Sequence, residues 1–212
     1  SLLPEEFPLV LAVFTVMGAW RISKTRVLTR RAAAIETLGA ATVLCTDKTG
    51  TLTQNKMSIV QIQSEDTVWR VTADSSTPSV FADIVKTGAM ASLKESYDPM
   101  DMAFLNFAPL SVHNPIHHYG LSPALLVMAN VYEADGQYLI TAKGAPEAIA
   151  KICRLTDERA QKLQDAVNTM GERGMRVLGV AKAISAPVPF PETPEGFQFE
   201  FMGLVGFRDP LR

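Results

Sequence analysis

The chain has 212 residues, 47% hydrophobic and 20% charged, with a formal net charge of −2. That length suits one large domain or two small ones with a buried core, and a near-neutral balance with no block of like charge excludes a nucleic-acid binder that relies on a basic field. Cys45 and Cys153 lie far apart, with no CxxC and no paired histidine, which reads as two reduced thiols rather than a disulfide or a zinc site.

The first residues lack a basic n-region and a small-residue cleavage site, so no secretory signal is expected. Leu9 to Trp20 is free of charge, preceded by Pro4-Glu5-Glu6-Phe7-Pro8 and followed by Arg21, Lys24, Arg26, Arg30 and Arg31. The run is too short to span a bilayer alone. Two readings stay open. One is a buried helix of a soluble protein. The other is half of a spanning helix, broken at the prolines, with its basic end on the cytoplasmic side and Trp20 at the interface. Carboxylates at such a break make sense only where they face a polar cavity or an ion.

Residues 21–38 read as a helix leaving the membrane. Thr42-Val43-Leu44-Cys45 reads as a short buried strand that places Asp47 at its C-terminal end, with a tight loop around Gly50 behind it. Strands are expected over Met57–Gln63 and Val68–Thr72, and a helix over Val80–Lys94 from the spacing of Phe81, Ile84, Val85, Ala89, Met90 and Leu93. A loop at Tyr97 leads into a helix ending near Asn106, and Ser111–Tyr119 has no period and reads as loop. Leu125–Tyr132 and Gln137–Ala142 form a hairpin turning at Ala134-Asp135-Gly136. Lys143-Gly144-Ala145 reads as a turn, with Pro146 at a helix start. A helix over Asp157–Arg173 ends at Gly174, a strand covers Met175–Ile184, and the four prolines between Ala186 and Pro194 mark a surface loop. The last strand is Phe199–Phe207. The hairpins imply an antiparallel sheet flanked by helices. The early strand with Asp47 belongs to something else, to which the chain returns only at Phe207–Arg212.

Cys45-Thr46-Asp47-Lys48-Thr49-Gly50-Thr51-Leu52-Thr53 is the stretch with the most chemical content. A carboxylate at the end of a buried strand points into the crevice where α/β sheets bind ligands. The loop behind it exposes backbone N–H groups, and Gly50 lets the chain turn closely around an anion. Such an aspartate can attack phosphorus and become an acyl phosphate, sharing a magnesium ion with the incoming phosphate. On local spacing alone, an inert turn explains the stretch equally well.

Asp47-Lys48-Thr49-Gly50-Thr51-Leu52-Thr53 resembles the phosphorylation signature of P-type ion-transporting ATPases. Other segments resemble that family in the same order: the proline-flanked Pro4–Pro8, Glu36-Thr37-Leu38-Gly39, Lys143-Gly144-Ala145-Pro146-Glu147, Met175-Arg176-Val177-Leu178, and Gly206 to Arg212. The similarity is nearest the calcium-pump-like branch in a bacterial style, and it covers nearly the whole chain.

The resemblance implies an α/β (α+β) architecture in which an antiparallel nucleotide-binding domain is inserted into an incomplete haloacid-dehalogenase-like phosphorylation domain. The implied divisions are a half transmembrane helix over 1–20, a stalk helix over 21–40, the first part of the phosphorylation domain over 41–55, the nucleotide-binding domain over 56–208, and the hinge back over 209–212. It also implies a cell-membrane, multi-pass protein with this region mostly on the cytoplasmic side, with ATP and Mg2+ as ligands and a transported cation, calcium or another divalent ion. Asp47 is then the phosphoryl acceptor, with Lys48 beside it and Thr49 lending its carbonyl to Mg2+. Related phosphatases carry an acid where Thr49 stands, and its replacement should let the acyl phosphate persist, as a pump that must change shape requires.

By the same resemblance Lys143 and Gly144 line the adenine pocket, Arg176 reaches the phosphates, and Asp101 contacts the adenine amino group. Tyr119 is the candidate to stack on the base, although Gly120-Leu121-Ser122-Pro123 behind it lacks the family's usual positive charge. His113, His117 and His118 read as loop or pocket wall. Glu5 falls at the family's cation-binding glutamate, and Glu6 replaces a glycine there. The family's later phosphate-site motifs and most of its membrane helices fall outside these 212 residues, so the chain alone is expected to bind ATP weakly without turning it over. Two alternatives remain: a soluble haloacid-dehalogenase-type phosphatase with a cap domain, and a regulatory nucleotide-binding module.

Overall fold

The structure is a computed structural model that describes residues 6–28, 30–31, 33–65, 67–72, 77–108, 114–186 and 189–211. It divides into two compact units, Ser1–Asp47 and Lys48–Arg212.

The first unit holds two helices, α1 (Glu6–Ser23) and α2 (Ala33–Gly39). Pro8 falls in the first turn of α1, where a missing N–H costs no helical bond, so the helix runs on through it. At 18 residues, α1 is long and apolar enough to cross a membrane by length and composition, and none of its residues is buried. Lys24 places its ammonium 3.7 Å from the centre of the Trp20 ring. The helix expected over residues 21–38 is interrupted: α1 ends at Ser23, Arg26 takes a positive φ of 64°, and α2 starts only at Ala33. Gly18 leaves room for Ile35, whose side chain lies 3.4 Å from where a Cβ would be.

Thr42–Cys45 does not form the expected buried strand. Val43 and Leu44 are 78% and 81% exposed. No other described strand pairs with this segment, and an unpaired strand leaves its N–H and C=O groups without ladder partners. A haloacid-dehalogenase-like sheet is therefore not formed by the described residues.

The second unit is built on a seven-stranded antiparallel sheet in the order β2-β1-β7-β6-β5-β4-β3. Its strands are β1 (Ser58–Gln63), β2 (Val68–Arg70), β3 (His117–Tyr119), β4 (Val127–Ala134), β5 (Gln137–Gly144), β6 (Arg176–Ser185) and β7 (Glu200–Arg208). The antiparallel sheet flanked by helices is thus as the sequence implied. The β4–β5 hairpin closes on Asp135 and Gly136, with φ of 52° and 73°, the pairing of left-handed residues that a two-residue hairpin needs. Two readings change. His117–Tyr119 is a strand, held by β4 through pairs such as His118 with Asn130. Lys143 and Gly144 end β5 rather than forming a turn.

Helices cover both faces. On one side lie α3 (Ser79–Met90) and α4 (Pro99–Phe107), closing over Ile59, Ile62, Val180, Val205 and Phe207. On the other, α5 (Pro146–Ile152) packs with Val127, Ala129, Val131, Ile140, Ala142 and Ala181, and α6 (Asp157–Glu172) seats Leu163 and Met170 against Leu204. The period of two along each strand explains this: odd positions of β4 meet α5 while Asn130 and Tyr132 reach α3. The proline-rich loop carries Phe190, stacked on His117 with ring centres 4.7 Å apart.

Candidate functional site

Lys143 and Asp101 form a buried ion pair on the α3/α4 face of the sheet. Asp101 is placed by the start of α4. The Asp98 carboxylate caps that helix, accepting from the Met100 and Asp101 amides at 2.7 and 3.2 Å, and Pro99 opens the first turn. Lys143 is placed by β5, and its ammonium also donates to the Ser92 hydroxyl at 2.6 Å. The Phe104 ring lies 5.4 Å away. Burial pulls the Lys143 ammonium below its usual range, and the Asp101 carboxylate works against that shift. Charge stays at such depth because it is paired and hydrogen-bonded.

The polar cluster reaches further than the motif residues. Asn130, fully buried on the same face, donates to the carbonyls of Met90 at 2.8 Å and Ser92 at 3.2 Å, and its Oδ1 lies 2.6 Å from His118 Nδ1. Tyr132 donates to the same Met90 carbonyl at 2.6 Å. Ser92 and Asn130 are not singled out in the sequence, and His118 reads there only as loop or pocket wall. The signal that could have found the first link is an asparagine inside the apolar run Leu125–Tyr132.

Gly144 is required by packing. A Cβ there would come 2.9 Å from the Val127 Cα and nearer still to the Leu126 carbonyl oxygen. The close approach is between β5 and β4, and it seats the end of the strand that carries Lys143. Arg176 sits at the exposed start of β6, paired in register with Phe207, so it shares the α3/α4 face. It is four residues from Val180, the register partner of Lys143, or roughly 13 Å along the strand.

Tyr119 lies on the other face. It is 8% exposed, packs in the α5 core, and donates its hydroxyl to the Pro191 carbonyl at 2.8 Å. The sheet separates it from Lys143 and Asp101. A cavity of about 140 Å³, lined in part by Leu155, Leu163, Phe201 and the Arg159–Glu65 ion pair, also lies away from Lys143, between α6 and the sheet.

In the phosphorylation motif, Asp47 closes the first unit and is exposed. Lys48–Leu52 makes one wide helical turn with Gly50 at φ 77°, a left-handed conformation that suits glycine. The side chains of Lys48 and Thr49 lie outside the described parts, as do Glu5 and His113. Thr53 donates to Asp209 Oδ2 at 2.6 Å, and Asp209 Oδ1 accepts from the Lys56 amide at 3.1 Å. This clasp joins the two crossings of the chain at the base of the sheet domain.

Among the described residues no three His, Cys, Asp or Glu side chains gather to hold a metal. Mg2+ asks for less from a protein, one or two carboxylates beside substrate phosphates and water. The exposed Asp47 carboxylate and the Thr49 carbonyl fit it in kind.

Residues 125–212 match the family described as P-type ATPase, cytoplasmic domain N. The whole chain aligns over 219 positions, at 28% identity, with a protein of Methanocaldococcus jannaschii named "Putative cation-transporting ATPase MJ1226". The chain spans 24% of the length of that relative.

Proposed function

We propose that this chain, which matches the P-type ATPase cytoplasmic domain N over residues 125–212 and is 28% identical to the cation-transporting ATPase named above, carries the nucleotide-binding domain and the phosphorylation motif of an ATP-driven cation pump. The observation that carries this reading is the buried Lys143–Asp101 pair on the same sheet face as Arg176. Lys143 and Asp101 make a polar pocket for the base, Gly144 fixes the strand end beneath it, and Arg176 stands farther along the face where the phosphates of an extended nucleotide would lie. The domain boundaries follow the same reading: a half transmembrane helix over 1–20, a stalk over 21–40, phosphorylation-domain segments over 41–55 and 209–212, and the nucleotide-binding domain over 56–208.

In the chemistry proposed, an Asp47 carboxylate oxygen attacks the γ-phosphorus of ATP. The bond from that phosphorus to its bridging oxygen breaks, ADP leaves, and Asp47 becomes an acyl phosphate that water later cleaves. Lys48 adds positive charge beside the acceptor. Thr49 cannot act as a general base for that water, so the phosphorylated state lasts. Mg2+, when held by Asp47 and the Thr49 carbonyl, supplies charge neutralisation for the phosphoryl group. Glu5 is assigned to the transported divalent cation, calcium or another, in a membrane protein whose sheet domain faces the cytoplasm.

The test uses the full-length protein and γ-labelled ATP. Wild type gives an acid-stable phosphoenzyme, and Asp47→Asn gives none while still binding ATP. Phosphorylation of the Asp47→Asn variant overturns the acceptor assignment. Lys143→Ala binding ATP as well as wild type overturns the pocket.

A further inference from the structure

We propose that His118, rather than its neighbour Tyr119, is the ring that faces the bound base, and that Asn130 holds it there in one tautomer. The inference rests on the nucleotide reading of the Lys143 face.

β3 alternates like any strand, so His118 and Tyr119 point to opposite faces. Tyr119 is committed to the α5 core. His118 is exposed on the face that bears Lys143, opposite Asn130 in register. Asn130 settles the state of the ring. Its two amide contacts, the Met90 and Ser92 oxygens, are backbone carbonyls that can only accept. The NH2 group must therefore face them, which turns Oδ1 toward His118. An Oδ1 that accepts requires Nδ1 to carry a proton. In the neutral imidazole the remaining nitrogen, Nε2, is then an acceptor.

An exposed ring held by a fully buried amide is a positioned group rather than a solvated one. The hydrogen bonds continue from Asn130 to the Ser92 carbonyl, and the Ser92 hydroxyl accepts from Lys143, so the ring and the ammonium are set by one network. Met128, the register partner of Lys143, lies on the same face and is half-buried. A planar ring, an apolar wall and a hydrogen-bond acceptor fit a planar heteroaromatic ligand with an exocyclic amino group, the chemistry of adenine. Its amino group donates to His118 Nε2, which an oxygen at that position cannot do.

The experiment titrates the 212-residue chain in mild detergent with ATP and with ITP, which has an oxygen in place of the amino group, by calorimetry. Wild type binds ATP more tightly than ITP. His118→Ala weakens ATP binding about two- to tenfold, as loss of one hydrogen bond to the base costs. His118→Phe does not restore it and narrows the ATP-to-ITP ratio as His118→Ala does, since a ring returns without the acceptor. Should His118→Ala and His118→Phe both bind ATP and ITP as wild type does while Lys143→Ala is weakened, the His118 assignment falls and the nucleotide site stands. Should wild type itself bind no ATP at millimolar concentration, the nucleotide reading falls and takes the inference with it.

Discussion

Lys143 and Asp101 lie 42 residues apart in the chain and meet as an ion pair with each side chain 5% exposed. The pair joins the end of β5 to the first turn of α4, so its two charges are structural supports as well as candidate ligand contacts. Removing one partner strands the other in a low-dielectric site. Asp101→Leu should cost about 3 kcal/mol or more in urea unfolding. The double variant Asp101→Leu/Lys143→Met should lose less than the sum of the single changes. Strict additivity would show that the two side chains do not interact.

Gly144 and Gly171 should respond in opposite directions to alanine. At Gly144 the new Cβ meets backbone, the Leu126 oxygen and the Val127 Cα, and neither can swing aside. Loss of about 3 kcal/mol or more, or failure to fold, is the expected outcome. At Gly171, exposed in the last turn of α6, a Cβ meets nothing within 4 Å. Alanine there should stabilise by about 0.5–1 kcal/mol. Thermal and urea melts of the two variants check both signs.

Asp209 gives a pH dependence with a definite sign. The Thr53 hydroxyl, then the Lys56 and Asn55 amides and the Arg176 charge, hold its carboxyl below the ordinary aspartate range. A depressed folded value means that the clasp contributes its stability above the unfolded aspartate pKa. That contribution is lost as pH falls through the lower folded value. An NMR titration of the Asp209 carboxyl should show the depressed midpoint, and Thr53→Ala should move it back up. An unmoved midpoint in Thr53→Ala would remove the hydroxyl as the main cause.

The two cysteines should differ sharply toward alkylation. Burial, helped by the Glu200 charge, pushes the Cys153 thiol up to about 12, so almost none is thiolate at neutral pH. Cys45 is exposed. Iodoacetamide at pH 7.5 should modify Cys45 well before Cys153, read by peptide mass spectrometry. Rapid labelling of Cys153 in the folded chain would contradict its burial.

The hairpin and the helix starts were legible because their signals are local. Asp135-Gly136 can take the left-handed pair a two-residue turn requires, and Pro146 marks a first helical turn where a missing N–H costs nothing. His117–Tyr119 was not legible as a strand. Three residues carry no period, and what makes them a strand is the neighbouring β4 edge. Lys143-Gly144 looked like a turn because glycine suggests one, whereas this glycine serves contact between two strands. Thr42–Cys45 showed the reverse error: β-prone residues stay unpaired when no partner strand lies beside them. In the site, Asp101 and Lys143 could be picked out by resemblance. Which face Tyr119 occupies could not, because a shift of one residue in register exchanges the faces, and the sequence leaves the register of so short a strand open.

Thr53 and Asp209 are separated by 156 positions, yet they share a hydrogen bond, and β1 and β7 run side by side from that point. Seen from the flanking chain, the whole sheet domain occupies the place of a tight turn. Entry and exit of the chain lie side by side there, with the Gln54 amide donating to the Pro210 carbonyl at 3.0 Å. For the same reason, a short linker from Gln54 to Pro210 should excise the domain and leave the flanking geometry nearly undisturbed.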